Sequence, residues 1–354
     1  MHTPWFAIHK PLSARRALLL KCIAFLIPLA VWCVVSYVPW VWHPQRLILN
    51  AGGSDLFSAD QRVEAEYFDK EQENLAKAGL PLMQAVRVNP VFLPAPHEVA
   101  QAMVKAFGPP ERKSSPWLHE RIWSSIKLLF WGFVLATAIA VPLGILCGTF
   151  DFFAKLIEPF IDFMRYMPAP AFGALMVAIF ALNDAPKIAI IFIGLFFNML
   201  LVTANTTRSI DTSLLEAAQT LGAKRSKLLM KVVVPGILPV LFTDLRIALG
   251  FGWVYLTIAE IIGEMSGITE FINQQGKFRN YPNVFTGIIV LGILGFLTDQ
   301  LLAEVGRVLF PWYYRQKQSW ARKWVNAVLR FRRSPEPRVF EGVRPRLEAS
   351  DVSA

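Results

Sequence analysis

The sequence predicts an all-α, polytopic membrane protein with six transmembrane helices. Three observations carry that prediction. Of the 354 residues, 54% are hydrophobic, and the mean hydropathy is +0.42. That is too apolar for an ordinary soluble domain. The apolar residues gather into six runs, most of them long enough to cross a bilayer, which takes about 20 residues. Between two of those runs lies a compact, polar, basic island, Ser213 to Pro235.

Residues 1–16 are short and basic, with Lys10, Arg15 and Arg16. The first span follows over 17–42, broken only by Lys21, and ends in Pro39, Trp40 and Trp42. A signal peptide is shorter and closes on a small-residue cleavage site, so this reads as an uncleaved span with an aromatic anchor. Residues 43–118 form a polar extracytoplasmic segment. Within it, Ser58 and Gln61 make a capping box for a surface helix that stops at Gly79-Leu80-Pro81. Phe92 to Pro96 is an extended, proline-fixed strip, and a short helix covers His97 to Phe107.

Residues 119–310 hold five further spans. The second runs from Ile122 to Phe150, with Gly144 and Gly148 as a small-xxx-small pair for close packing. A short loop at 151–165 follows. The third span is short, Tyr166 to Asn183, and opens with Pro168 and Pro170; the fourth is Ile188 to Thr207. The fifth is Gly236 to Gly263, with Asp244, Arg246 and Glu260 at membrane depth. A loop with glycine and asparagine runs from Glu264 to Asn283, and the sixth span is Val284 to Phe310. The tail, 311–354, is basic: Trp320, Trp324 and Phe331 line one face of a helix suited to an anionic leaflet.

In the island, Ser213 and Glu216 read as a capping box opening a helix, and Gly222 as its left-handed stop. Lys224, Arg225, Lys227 and Lys231 begin a second helical turn, and Pro235 opens the next span. Charge orients the chain. Residues 208–235 carry five basic and two acidic side chains, and the tail is basic, which places both termini in the cytoplasm. The loop at 151–165, where acids slightly outnumber bases, runs against that bias.

Several functional classes are excluded. The net charge of +10 reflects positive-inside loops, and no nucleic-acid-binding motif is present. There is no GxxxxGK[ST], so the chain has no phosphate loop of its own. Cys22, Cys33 and Cys147 sit inside apolar runs, and the five histidines lie outside the spans. The sequence therefore calls for no metal or cofactor, and no catalytic constellation appears.

Glu216-Ala217-Ala218, three residues, Gly222 and then Pro235 resemble the "EAA" loop of bacterial ABC importer permeases of type I. Leu93-Pro94-Ala95-Pro96, Glu158-Pro159 through Arg165-Tyr166-Met167-Pro168, and Leu238-Pro239 through Leu245-Arg246-Ile247 narrow the resemblance to the nitrate/sulfonate/taurine type. Ala259-Glu260, Ser266-Gly267-Ile268 and Phe310-Pro311-Trp312 extend it, so that it covers about residues 90–312. The resemblance implies a permease dimer, a homodimer on the simplest reading, in the bacterial inner membrane. It also implies a separate ABC ATPase subunit and an extracytoplasmic solute-binding protein as partners. Ser213, Glu216, Ala217, Ala218, Gly222 and Pro235 would form the ATPase-coupling core. Arg165, Pro168, Arg246 and Glu260 are candidates for the translocation pathway, the last two with an interhelical polar contact as the alternative. The chain departs from the family in a longer 45–90 segment, an extended tail, and Asp244 where glycine is usual. An ion-coupled secondary transporter is the rival reading; it leaves the island without a role.

Overall fold

A bilayer offers backbone N–H and C=O groups no water, so an apolar chain crossing it must bond to itself, and the long apolar runs fold as helices. The structure is a computed structural model that describes residues 12–38, 40–110, 116–262 and 266–314. The expected basic tail helix lies outside those residues.

Helix α1 (Ala14–Tyr37) is a largely unburied span. Its far end touches the rest of the chain: Trp32 Nε1 donates to the Pro94 carbonyl at 3.0 Å and its ring stacks on Phe285. The polar segment that follows differs from the expectation of a lone surface helix. It is a small α+β unit, with strands β1 (Gln45–Asn50) and β2 (Arg62–Glu64), helix α2 (Ala65–Ala78) and strand β3 (Gln84–Val88). The strands form an antiparallel sheet in the order β2-β1-β3, with Gln45 opposite both Glu64 and Val88. Ile48, Val63, Phe68, Leu75 and Met83 form its core. The Gln61 side chain does reach back to the Ser58 N–H, at 3.1 Å, but that bond closes a turn. Residues 62–64 then pair with β1, and the helix begins at Ala65. It ends at Gly79, as expected.

Helix α3 (Pro96–Ala106) leads to α4 (Leu118–Thr149), the second span. The expected loop at 151–165 is instead helix α5 (Asp151–Met164), whose apolar residues include the buried Ala154 and Ile161. The chain breaks over 165–168 and makes one 3-10 turn (Ala169–Phe172). Helix α6 (Gly173–Phe180) follows at 85° to α5. Helix α7 (Ala185–Arg208) is the next full span.

The packing of α4 on α7 decides how the broken pair is read. Gly132 meets Ile191, Gly144 meets Thr203 and Gly148 meets Thr207. The register advances equally on both helices, so they run parallel. A chain that leaves one end of α4 must therefore recross the membrane before α7 starts. Helices α5 and α6 together make that crossing, and the third span is this broken helix, not the single run Tyr166–Asn183.

Beyond α7 come the short α8 (Thr212–Thr220) and α9 (Arg225–Leu228), a π-helical turn over Leu229–Val233, and α10 (Val234–Ala259). Pro235, lacking an N–H, stands just past the π turn. The expected loop before the last span is helix α11 (Gly267–Lys277), and the last span is α12 (Tyr281–Leu309). Helix α10 runs antiparallel to α7, with Tyr255 on Gly194 and Asp244 beside Thr206. It is also antiparallel to α12, with Trp253 beside Gly295 and Phe242 against Gly306. The start of α1, the end of α4, the α8–α9 hairpin and the end of α12 thus share one face of the bundle. The sheet unit, α3 and α11 share the other. Buried Leu128, Ala136, Ile190, Leu200 and Leu256 lie in the core between α4, α7 and α10.

Candidate functional site

The hairpin between α7 and α10 is built by two local stops. Asp211, not Ser213, is the N-cap of α8: its carboxylate accepts the Ser213 N–H at 2.9 Å. The Ser213 hydroxyl and N–H hold the Asp211 carboxyl below the usual carboxylate value. The observed cap therefore lies two positions before the expected one, and the helix begins two residues earlier, at Thr212 instead of Leu214. Gly222 adopts φ +78°. Its N–H bonds the Gln219 carbonyl at 2.8 Å and the next N–H, of Ala223, bonds Ala218 at 3.0 Å, a Schellman stop. Glu216 and Ala217 are exposed, Ala218 is half-buried, and Leu221 is 88% exposed at the tip. No residue of α8 or α9 is buried. The hairpin is a rigid, projecting knob with apolar and basic residues on it.

A second feature lies at mid-depth. The break at 165–170, the middle of α7 and the middle of α10 enclose a cleft of 490 Å³. Arg165, Tyr166 and Pro168 come from the break, Gly194 and Asn198 from α7, and Tyr255 from α10. Gly194 has no side chain because the Tyr255 ring lies against it. Among the described residues, Arg165 is the only charged one of the lining. Its Nε pairs with Asp162 at 3.2 Å and its Nη2 donates to the Tyr166 hydroxyl at 3.1 Å. Three of its five N–H groups remain for another acceptor. The irregular backbone here is tolerated because it lines a cavity.

The other two pathway candidates lie away from this cleft. Arg246 holds Asp299 of α12 through both carboxylate oxygens, at 2.8 and 2.9 Å. Glu260 is fully buried at the end of α10. It accepts hydrogen bonds from the Ser125 hydroxyl and from the Thr269 N–H at 2.9 Å, while Ser125 Oγ accepts the Ile268 N–H at 3.0 Å. Two side chains from α4 and α10 thus cap the free N–H groups that open α11. Both residues are interhelical contacts. Nearby, Lys187 is 2% exposed and donates to Ser266 Oγ at 2.7 Å, and Arg121 pairs with Glu270 at 2.9 Å.

Asp299, Lys187, Asn198 and Tyr255 join these sites without being singled out by the sequence. The rule that singled out Arg246, an ionisable residue at membrane depth, applies equally to Asp299. Asn198 and Tyr255 gave no signal, since a polar residue in an apolar helix is visible only once its neighbours are known.

A bundle of six crossings, one of them broken, with a mid-depth cleft and a projecting knob defines a multi-pass transport permease. Residues 140–307 match the family described as the binding-protein-dependent transport system inner membrane component. The chain is 31% identical over 227 residues to the taurine transport system permease protein of Escherichia coli (strain K12), covering 64% of this chain and 82% of that one. It is 32% identical over 181 residues to the putative aliphatic sulfonates transport permease protein of Bacillus subtilis (strain 168), covering 51% and 66%. A chain of the inward-facing MetNI methionine ABC transporter superposes with a TM-score of 0.51 at 20% identity, covering 56% of this chain and 98% of that chain, and so shares the fold. The chain belongs to the binding-protein-dependent transport system inner membrane component family and is an ABC importer permease.

Proposed function

We propose that this chain is the membrane-spanning subunit of an ATP-driven importer in the bacterial inner membrane, working as a homodimer. It takes a small solute bearing an oxyanion group, of the nitrate, sulfonate or taurine kind, from an extracytoplasmic solute-binding protein and passes it through the cleft at the α5–α6 break. ATP is hydrolysed on a separate chain, into which the α8–α9 knob docks. Both termini and the knob face the cytoplasm; the sheet unit and α11 face outward.

One observation carries this reading: the knob is a capped, glycine-stopped hairpin with no buried residue, set between two membrane crossings. Exposed Leu214 and Leu221 give it an apolar contact surface, and Glu216, Ala217 and Ala218 a narrow helix face that fits a groove. Ser213 supplies the N–H that fixes the Asp211 cap, Gly222 the turn, and Pro235 the start of the span that would move. Movement of the knob is transmitted along α10, which lines the cleft. Arg165 supports the choice of anion, because a guanidinium fork matches the oxygens of a sulfonate or carbonate. Pro168 sets the break that presents it. The taurine and sulfonate relatives point the same way.

The test is co-purification in mild detergent. The native chain should bring down an ATPase subunit and a solute-binding protein, and a Glu216→Lys, Gly222→Pro double variant should lose the ATPase. Retention of the ATPase by the variant would refute the knob's role.

A further inference from the structure

The central cleft does not end at Arg165. A second cavity of 250 Å³ adjoins it and shares Asn198, Ala248 and Phe251 with it. The two make one groove along the α7–α10 face, leading from the break toward the knob side. The lower part is lined by Leu241, Leu245, Ile247 and Val202, and by one ionisable group, Asp244. Its carboxylate accepts the Thr206 hydroxyl at 2.5 Å, and no ion pair of Asp244 occurs among the described residues. Arg246, two residues on, is turned away to Asp299. A carboxylate without a cation at membrane depth is costly and marks a functional position.

The groove therefore presents a guanidinium first and a carboxylate second. Tyr255 stands at the level of Gly194 and Asp244 at the level of Thr206. Eleven residues of α10 separate those levels, an axial distance of about 16 Å at 1.5 Å per residue. Arg165 lines the same cavity as Ala248, Phe251 and Tyr255, so a small solute meets the two charges in turn. A plain monoanion held by Arg165 would next be repelled by Asp244. A solute that also carries an ammonium would be attracted.

We infer that the groove is matched to a small zwitterion bearing an oxyanion and an ammonium, and that Asp244 rejects simple monoanions. This rests on the cleft being the solute path.

The test uses the full complex, with its ATPase and binding protein, in proteoliposomes. Uptake of taurine, an aminosulfonate zwitterion, is compared with uptake of ethanesulfonate, its deaminated monoanion. Both are offered on saturated binding protein, or free at high concentration where the binding protein does not hold them. The native complex prefers taurine. Asp244→Asn, which keeps an acceptor for Thr206, lowers taurine uptake and raises ethanesulfonate uptake, narrowing their ratio on the order of tenfold. Asp244→Glu restores the preference. Arg165→Ala reduces both solutes alike. Should Arg165→Ala leave both untouched, the cleft reading itself fails. Should Arg165→Ala act while Asp244→Asn leaves the ratio unchanged, the zwitterion inference alone fails. A native complex that moves the two solutes equally, or does not move taurine, also overturns it.

Discussion

Replacing Gly267 by alanine separates a structural cap from a mere turn. Gly267 has φ +75°, and a Cβ there would run into the Glu260 carboxylate and lie 2.5 Å from Ser125 Oγ. Both groups are fixed, since they accept the first N–H groups of α11. The left-handed backbone alone costs an alanine roughly 1–2 kcal/mol. Displacing Glu260 adds the loss of a charge-assisted hydrogen bond in a buried site, roughly 1.5–3 kcal/mol. Together these come to about 2.5–5 kcal/mol. Gly79 provides the control: it has φ +67°, yet nothing lies within 4 Å of a Cβ built there. Gly79→Ala therefore carries the backbone cost only. The assay is the thermal midpoint of the purified protein in detergent. Gly267→Ala should melt several degrees below Gly79→Ala, by the scaling of about 2–4 °C per kcal/mol for larger domains. Equal midpoints for the two variants would refute the cap.

Asp211, exposed and held below its usual carboxylate value by the Ser213 hydroxyl and N–H, stabilises α8 above the unfolded carboxylate value. That contribution is lost as pH falls through the depressed folded value. The protection factors of the α8 amides, exchange rates taken relative to the unfolded chain at the same pH, should therefore fall at acid pH in the native chain, while Asp211→Asn, still a good cap, should show no such step. For the Arg246–Asp299 pair, Arg246→Met or Asp299→Leu alone should lower the thermal midpoint, by roughly 1–3 kcal/mol, more than the double variant does. A double variant worse than both singles would count against the pairing. Gly144→Val places a side chain 2.6 Å or less from Thr203 and should separate α4 from α7, at a cost of roughly 1–3 kcal/mol, read as reduced yield of folded protein. Unchanged yield and midpoint would contradict the parallel packing.

The spans were legible because twenty apolar residues between charges have few alternatives in a bilayer. Gly144 and Gly148 announced their close packing, and Thr203 and Thr207 now fill the space. Arg165 and Pro168 line one cavity, and the sequence signal for that is the pair of prolines at the start of a short apolar run, which leaves irregular backbone. What stayed hidden depended on distant partners. Helix α11 reads as a loop because glycine, asparagine and glutamine dominate it, and its start is capped by Ser125, from a segment far earlier in the chain. The sequence leaves Arg246 between a pathway residue and an interhelical contact, because its partner Asp299, on α12, is 53 positions away. The small sheet was missed because β2 has only three residues, too few for any alternation to register. Ser213 and Asp211 both suit an N-cap and differ by two residues in where the helix starts, which side-chain preference alone does not separate.

In the proposed function, this chain conducts a solute only when the knob couples it to ATP. The direct measurement is uptake of labelled solute into proteoliposomes holding this chain, its ATPase and its binding protein, with and without ATP inside, beside the Gly222→Pro variant. Uptake is expected to require ATP and the binding protein, to be lost in the variant, and to be indifferent to ionophores. Uptake that persists without ATP and collapses when ion gradients are dissipated would contradict it.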